Sequence, residues 1–272
     1  MESILITGAS GRLGGAIVAA LAARIPRERL RVLVRTTPAA DAFRARGVTA
    51  RLGDYADRRS LVDAFAGVDR LVFVSSPVHD PAIRVPQHRA VVSAAVAAGV
   101  RRVVYTSAFR AAHDPGHATT EALLAERFGH GDDSGATILR NGFYTEPFVD
   151  RALAEAVVGR VTSAAGGGAL ATASLVDLAE AAALAATRPP ARAVLELRGP
   201  AWTYDELAAL LSSERGRPIV HERVDVEAAR AFGPLHALAA GGRLATGSDD
   251  LAELLGRPPR TLADVVRSAL QR

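Results

Sequence analysis

Gly8, Gly11 and Gly14 stand at three-residue intervals in Ile4-Leu5-Ile6-Thr7-Gly8-Ala9-Ser10-Gly11-Arg12-Leu13-Gly14, between an apolar run and a stretch of helical periodicity. The chemistry open to such a segment is diphosphate binding. The first glycine permits a tight turn, the second a close backbone approach to phosphate, and the third close packing of helix on strand. Free N–H groups and the positive end of the helix dipole add attraction for an anion. A plain structural turn uses the same glycines, so the reading rests on their place between strand and helix.

Further candidates follow the ends of other predicted strands, because ligands of open parallel sheets lie beyond the strands' carboxyl ends. Arg35 follows the strand ending at Val34, where an acid would hold a ribose 2′-hydroxyl and an arginine suits a 2′-phosphate. Arg12, inside the glycine turn, offers a second guanidinium. Both residues also read as surface arginines in an arginine-rich chain. Asp54-Tyr55 follows the third strand and is expected near an adenine. Ser75-Ser76-Pro77 follows the fourth, near a ribose, and Thr106-Ser107 the fifth, near a nicotinamide. Each is also an ordinary turn residue, and only their joint placement makes a site.

For hydride chemistry the cofactor carries the reactivity, and the protein orients it. Tyr105, His117 and Tyr144 are the candidate hydrogen-bond donors to a product oxygen, with packing or surface roles left open for each. The 33 basic side chains are all arginine, and the chain has no cysteine. Schiff-base chemistry, a P-loop lysine, a Tyr-x-x-x-Lys dyad, thiol catalysis and Cys-ligated zinc are thereby excluded. No H-E-x-x-H pair suggests a metal, and no G-x-S-x-G elbow suggests a hydrolase.

The elements that must position these groups alternate. Strands are expected at Ser3–Ile6, Leu30–Val34, Val48–Leu52, Arg70–Val74, Arg102–Tyr105 and Thr137–Leu139. Helices are expected over Arg12–Arg24, near Ala39–Arg46, through Ser60–Phe65 and over Gln87–Ala98. Alternation of this kind predicts a doubly wound parallel-sheet Rossmann fold of the α/β class. Beyond residue 150 the pattern loosens. A helix is expected from Leu175 to Thr187, broken by Pro189-Pro190, then a strand at Val194–Leu197. Thr203 and Glu206 form a capping box for a helix over 204–214, and Pro218–His221 reads as a strand. The expected organisation is a dinucleotide-binding domain over 1–150 and a smaller C-terminal α/β substrate lobe over 151–272, packed on it and not folding alone.

The 272 residues are 49% hydrophobic and carry a formal net charge of +4. Scattered arginines do not make the basic stripe of a nucleic-acid binder. No apolar run approaches the roughly 20 residues that span a bilayer, and the N-terminus does not read as a signal peptide. A cytoplasmic protein without nucleic-acid or membrane partners is expected.

The segments GASGRLGG, PQHRAVVSAAVAAGVRRVVYTSA (86–108) and LRNGFYTEPF (139–148) together resemble NmrA-like atypical short-chain reductases, nearest their NADPH-dependent quinone reductase type. The likeness continues through AWTYDELAALL (201–211) and LAELLGRPPRTLADVV (251–266). It implies NADP(H) held by Gly8, Ala9, Ser10, Gly11, Arg12, Leu13, Arg35, Ser75, Ser76, Pro77, Asn141, Gly142, Phe143, Tyr144, Thr145 and Glu146. It also implies hydride transfer to a quinone-like acceptor, with Asn141–Tyr144 passing the nicotinamide. Departures are Ala122 after Glu121, where a lysine is common, and Leu175 in place of an arginine. The segment between Val224 and Ser248 is shortened. The family includes redox sensors that bind NADP(H) without turnover, which is the alternative reading. An epimerase or dehydratase on the same fold lacks its usual dyad here. A homodimer is a further expectation.

Overall fold

The computed structural model describes residues 2–130, 134–188, 192–229 and 232–272, and the Pro189-Pro190 break lies outside them. In chain order the elements begin β1 (Ile4–Ile6), α1 (Arg12–Ala22), β2 (Leu30–Val34), α2 (Thr37–Arg44), β3 (Thr49–Leu52) and α3 (Arg58–Phe65). They continue β4 (Arg70–Val74), α4 (Pro81–Ala97), β5 (Arg102–Ala108), α5 (Pro115–Phe128), β6 (Gly135–Asn141) and α6 (Thr145–Glu155). Next come β7 (Arg160–Ser163), β8 (Leu170–Ala171), α7 (Leu175–Thr187), β9 (Val194–Leu197) and β10 (Ala201–Trp202). The chain ends with α8 (Tyr204–Arg215), β11 (Val220–Arg223), α9 (Gly233–Ala240), α10 (Asp250–Leu255) and α11 (Leu262–Leu270).

Packing divides the chain into two compact units. One holds the residues up to Asn141 together with Leu178–Glu196, and the other holds Gly142–Asp177 and Leu197–Arg272. The chain thus passes between units after Asn141, Asp177 and Glu196, whereas the sequence reading draws one boundary at 150.

The first unit is built on a seven-stranded sheet of order β3-β2-β1-β4-β5-β6-β9. Its ladders from β3 through β6 are parallel. This is the doubly wound Rossmann fold. The order reverses between β1 and β4, which opens the crevice in which such sheets bind ligands. Leu71, Val72 and Phe73 at the centre are buried, as a strand covered on both faces requires.

Two elements begin or end differently from the sequence reading. α4 starts at Pro81 rather than Gln87, because Asp80 caps it by accepting the Ala82 N–H at 2.9 Å and Pro81 occupies the first turn. Proline lacks an N–H, which the first turn does not need for its own hydrogen bonds, and Pro86 is carried inside the helix. β5 runs to Ala108 rather than stopping at Tyr105. Ladders on both sides extend it, pairing Thr106 with Val74 and Ala108 with Asn141. Thr106 and Ser107 therefore lie in the strand and are buried, not in a turn beyond it.

The second unit contains two small sheets, β8 with β10 and β7 with β11, and helices α6, α8, α9, α10 and α11 among its elements. The expected strand at Pro218–His221 is observed as Val220–Arg223, paired parallel with β7. Asp177, fully buried, anchors the segment after α10. It accepts from the Arg257 guanidinium at 2.8 Å and from the Arg260 backbone N–H at 2.6 Å, and it pairs with the Arg260 side chain. No helix among the described residues is long and apolar enough to cross a membrane.

Candidate functional site

The turn after β1 has the geometry its glycines foretell. Gly8 has φ of 60°, a conformation few side chains tolerate. A Cβ on Gly14 would stand 2.1 Å from the Gly8 carbonyl oxygen, so α1 rests directly on the turn. Gly8, Ser10, Gly11 and Arg12 are exposed, while Ala9 and Leu13 are buried and fix the turn to the core. Arg35, just past β2, is exposed as well. Among the described residues, neither Arg12 nor Arg35 has a hydrogen-bond or ion-pair partner.

Side chains extend the strand ends at the crevice. The Thr7 hydroxyl accepts the Val74 N–H at 3.0 Å, and Thr106 Oγ1 accepts the Ser75 N–H at 3.1 Å. The Tyr55 hydroxyl lies 2.5 Å from Thr7 Oγ1 and 2.7 Å from the Val74 carbonyl. Burial pushes this phenol up, so it stays protonated. Tyr55 thus joins the ends of β1 and β4. Asp54 turns its carboxylate to the Ala56 N–H at 2.9 Å and serves the local turn.

The loop Ser75–Pro77 is held by one face of α4. Ser76 donates its N–H to His88 Nε2 at 2.9 Å and its hydroxyl to Gln87 Oε1 at 2.6 Å. The buried Arg84 guanidinium donates to the Val78 carbonyl and, at 2.9 Å, to Asp114. Gln87 and His88 are thus the physical content of the segment that opens PQHRAVV, which sequence reasoning valued only through resemblance, and Arg84 adds to it from one turn earlier in α4. Because Nε2 accepts, Nδ1–H of His88 donates to Thr120 Oγ1 at 2.8 Å, and Thr120 donates to the Gly116 carbonyl at 2.6 Å. Burial pushes His88 down to about 3, so the neutral tautomer persists. Ser76 is buried and Pro77 exposed, leaving Ser75 and Pro77 as the loop's accessible part.

Two of the three candidate donors prove to belong to the wall rather than the opening. Tyr105 is fully buried, and its hydroxyl lies 2.8 Å from His117 Nδ1. Burial raises the phenol and lowers His117, so a neutral tyrosine donates to a neutral imidazole. The expectation that Tyr105 touches a ligand is therefore corrected, since β5 is covered on that face. His117 is itself only 6% exposed. Beside them Ser107 donates to Glu121 at 2.5 Å, and Glu121 accepts the Arg140 guanidinium at 2.6 Å, which also reaches Glu196 at 3.1 Å. Glu121 is thereby occupied without the lysine that Ala122 replaces. Asn141, the last residue of β6, is buried, and its Oδ1 has no hydrogen-bond partner among the described residues.

In the second unit Gly142 donates to the Leu197 carbonyl at 2.8 Å, and a Cβ on it would stand 3.1 Å from that oxygen. Phe143 accepts the Ala173 N–H, and Tyr144, half-buried, precedes α6. Thr145 is buried against the Thr172 hydroxyl at 2.7 Å. Glu146 accepts the Leu175 N–H at 2.9 Å, so its carboxylate caps α7. Sequence reasoning missed a Ser163–His221–Asp205 chain, linked at 2.8 Å and 2.8 Å. It has the bonding order of a hydrolase triad, but Ser163 is fully buried, so it ties β7, β11 and α8 together. Among the described residues no group of three or more His, Cys, Asp or Glu could hold a metal.

A family model described as the NmrA-like family matches residues 1–123. The chain is 35% identical to quinone oxidoreductase 2 of Escherichia coli (strain K12) over 97% of either chain. It is 30% identical to an NAD(P)H azoreductase of Xenophilus azovorans, again over 97% of each. The crystal structure of Citrobacter sp. triphenylmethane reductase complexed with NADP(H) superposes with a TM-score of 0.90 at 32% identity, covering 98% of this chain and 99% of that one. With this fold, this glycine turn and relatives that align end to end, the chain belongs to the NmrA-like family of atypical short-chain reductases.

Proposed function

We propose that this chain is an NADPH-dependent reductase that passes hydride to a quinone or similar small organic acceptor. The observation that carries the reading is the pair of exposed, unpartnered guanidinium groups of Arg12 and Arg35 beside an open glycine turn. Two cations and several free N–H groups at one crevice suit a diphosphate and a 2′-phosphate. The buried, unmet Oδ1 of Asn141 suits the carboxamide end of the same cofactor. Three relatives named for quinone, azo-dye and triphenylmethane reduction support the acceptor class.

Gly8–Leu13 and Arg35 would hold the phosphates, and Ser75, Pro77 and Asn141 the ribose and nicotinamide end. Bound NADPH supplies a hydride, and one proton from solvent completes the quinol. Orientation and exclusion of water are what the chain adds. Tyr144 is retained as a proton-donor candidate, and His117, bonded to the buried Tyr105, is kept as a support of β5 rather than as a donor. We also place the protein in the cytoplasm, since a cysteine-free chain fits a reducing compartment. A homodimer is proposed with it, which sedimentation decides.

The test follows NADPH oxidation by absorbance with a quinone panel and an NADH control. Acceptor-dependent oxidation favouring NADPH is expected. Arg35→Ala should raise the NADPH KM about tenfold and leave NADH unchanged, as loss of one charge-assisted bond requires. Tight NADPH binding with no oxidation across the panel would overturn the reading in favour of a sensor.

A further inference from the structure

Arg110 stands on the loop after β5 with φ of 62°, the only non-glycine residue with positive φ among those described. In this region Cβ crowds the following carbonyl oxygen, which is why glycine, asparagine and aspartate usually occupy it. The conformation is held from both sides. Phe109 donates its N–H to the Asn141 carbonyl at 2.7 Å, and His113 donates to the Arg110 carbonyl at 2.8 Å. A turn without a further role would be better served by glycine.

The side chain carries a second cost. Arg110 is half-buried and its guanidinium has no hydrogen bond, ion pair or ring contact among the described residues, whereas Arg12, Arg35, Arg58, Arg59 and Arg89, which also lack them, are exposed. Partial removal of a cation from water without a counter-charge is unfavourable. Strain and an unmet charge therefore coincide at one residue. Such coincidences gather at functional sites, where a ligand offsets them.

Its place decides which ligand. Arg110 follows β5 at the carboxyl edge of the sheet, and β5 pairs Ala108 with Asn141, whose Oδ1 is the unmet buried amide oxygen. β5 lies two strands from β1, about 10 Å at ordinary strand spacing. The cofactor's phosphates, assigned to the turn after β1 and to Arg35, are served on the other side of the reversal point. Arg110 follows the β5 end instead, on the Asn141 side of the reversal point, where the reacting end is assigned.

We infer that Arg110 selects the acceptor by taking an anionic group on it, a carboxylate or sulfonate carried on the quinone or dye ring. This inference rests on the reductase reading, and its test separates the two. The probes are a naphthoquinone sulfonate and uncharged menadione. Their binding to the NADP⁺-loaded protein is read by quenching of the single tryptophan, and NADPH oxidation is followed in parallel. Wild type should bind the sulfonate more tightly than menadione, with the preference weakening in salt. Arg110→Ala should reduce the sulfonate-to-menadione affinity ratio about tenfold, and Arg110→Lys should retain part of it. Arg110→Gly should lose the preference yet raise the unfolding midpoint, since it relieves the backbone. No preference in wild type, or equal loss for sulfonate, menadione and NADPH in Arg110→Ala, would overturn the assignment. A sulfonate preference without NADPH oxidation by either probe would uphold Arg110 and overturn the reductase reading.

Discussion

His88 Nε2 accepts the backbone N–H of Ser76 at 2.9 Å, so a buried helix side chain sets the height of the loop that borders the crevice. Gln87 holds the same residue by its hydroxyl, and Arg84 holds the carbonyl of Val78. A buried polar face is costly unless every group is satisfied. Here Gln87, His88 and Arg84 each bond the loop, while Asp114 and Thr120 take the remaining donors of Arg84 and His88, which makes α4 the positioning element for Ser75–Pro77.

Replacing His88 by alanine should leave the Ser76 N–H buried and unpaired, at a cost of about 1–3 kcal/mol in stability. NADPH should bind several-fold more weakly, while Tyr55→Phe, on the other side of the crevice, lowers stability by a smaller amount. Denaturant midpoints and fluorescence titration measure both. Unchanged NADPH affinity in a folded His88→Ala protein would refute the positioning role.

The buried histidines predict an acid limb. Burial pushes His88 down to about 3 and His236 to about 4, and lowers His117 as well. Between about pH 6.5 and those values the unfolded chain binds protons that the native chain does not. Stability should therefore be full above about pH 6.5 and fall as the pH falls, by roughly 1 kcal/mol per pH unit for each histidine. His88→Gln should shallow this limb. Urea midpoints between neutral and mildly acid pH check the slope.

Neighbouring glycines of α1 should respond oppositely to alanine. A Cβ on Gly14 would strike the Gly8 carbonyl at 2.1 Å, whereas one on Gly15 meets the Ala9 carbonyl at 3.3 Å. Gly14→Ala should displace α1 from the turn and abolish NADPH binding. Gly15→Ala should cost little, because alanine's better helix propensity, about 0.5–1 kcal/mol, offsets a small shift. Thermal midpoints and cofactor titration distinguish them.

Asp177→Asn should destabilise the second unit. The fully buried carboxylate answers two arginines and one backbone N–H. Breaking such a cluster costs about 2–4 kcal/mol, less than a fully buried pair because the guanidinium groups are partly exposed. Faster proteolysis after α10, seen by mass spectrometry, should accompany it.

Much of the frame was legible in the sequence because it is local. The β1 turn, α1 and the place of Arg35 follow from residues a few positions apart, where glycine conformation and helix periodicity act directly. β2, β4, α7 and β9 fall where the pattern puts them, since each is an uninterrupted apolar or helical run. The start of α4 is written in Asp80-Pro81 as a cap and first-turn proline, a local signal that the reading of a helix from Gln87 leaves out. What the tertiary structure alone decided depends on residues far apart in the chain. Pairing on both sides carries β5 to Ala108 and buries Thr106 and Ser107. Coverage of one sheet face removes Tyr105 from any ligand. Packing of α4 beneath the β4 loop turns His88 into its support. The backbone strain of Arg110 is held by the Phe109 bond to β6 together with the His113 bond back to its own carbonyl. No periodicity records which face a partner strand or helix will cover, and burial, not residue type, fixes the work of each of these side chains.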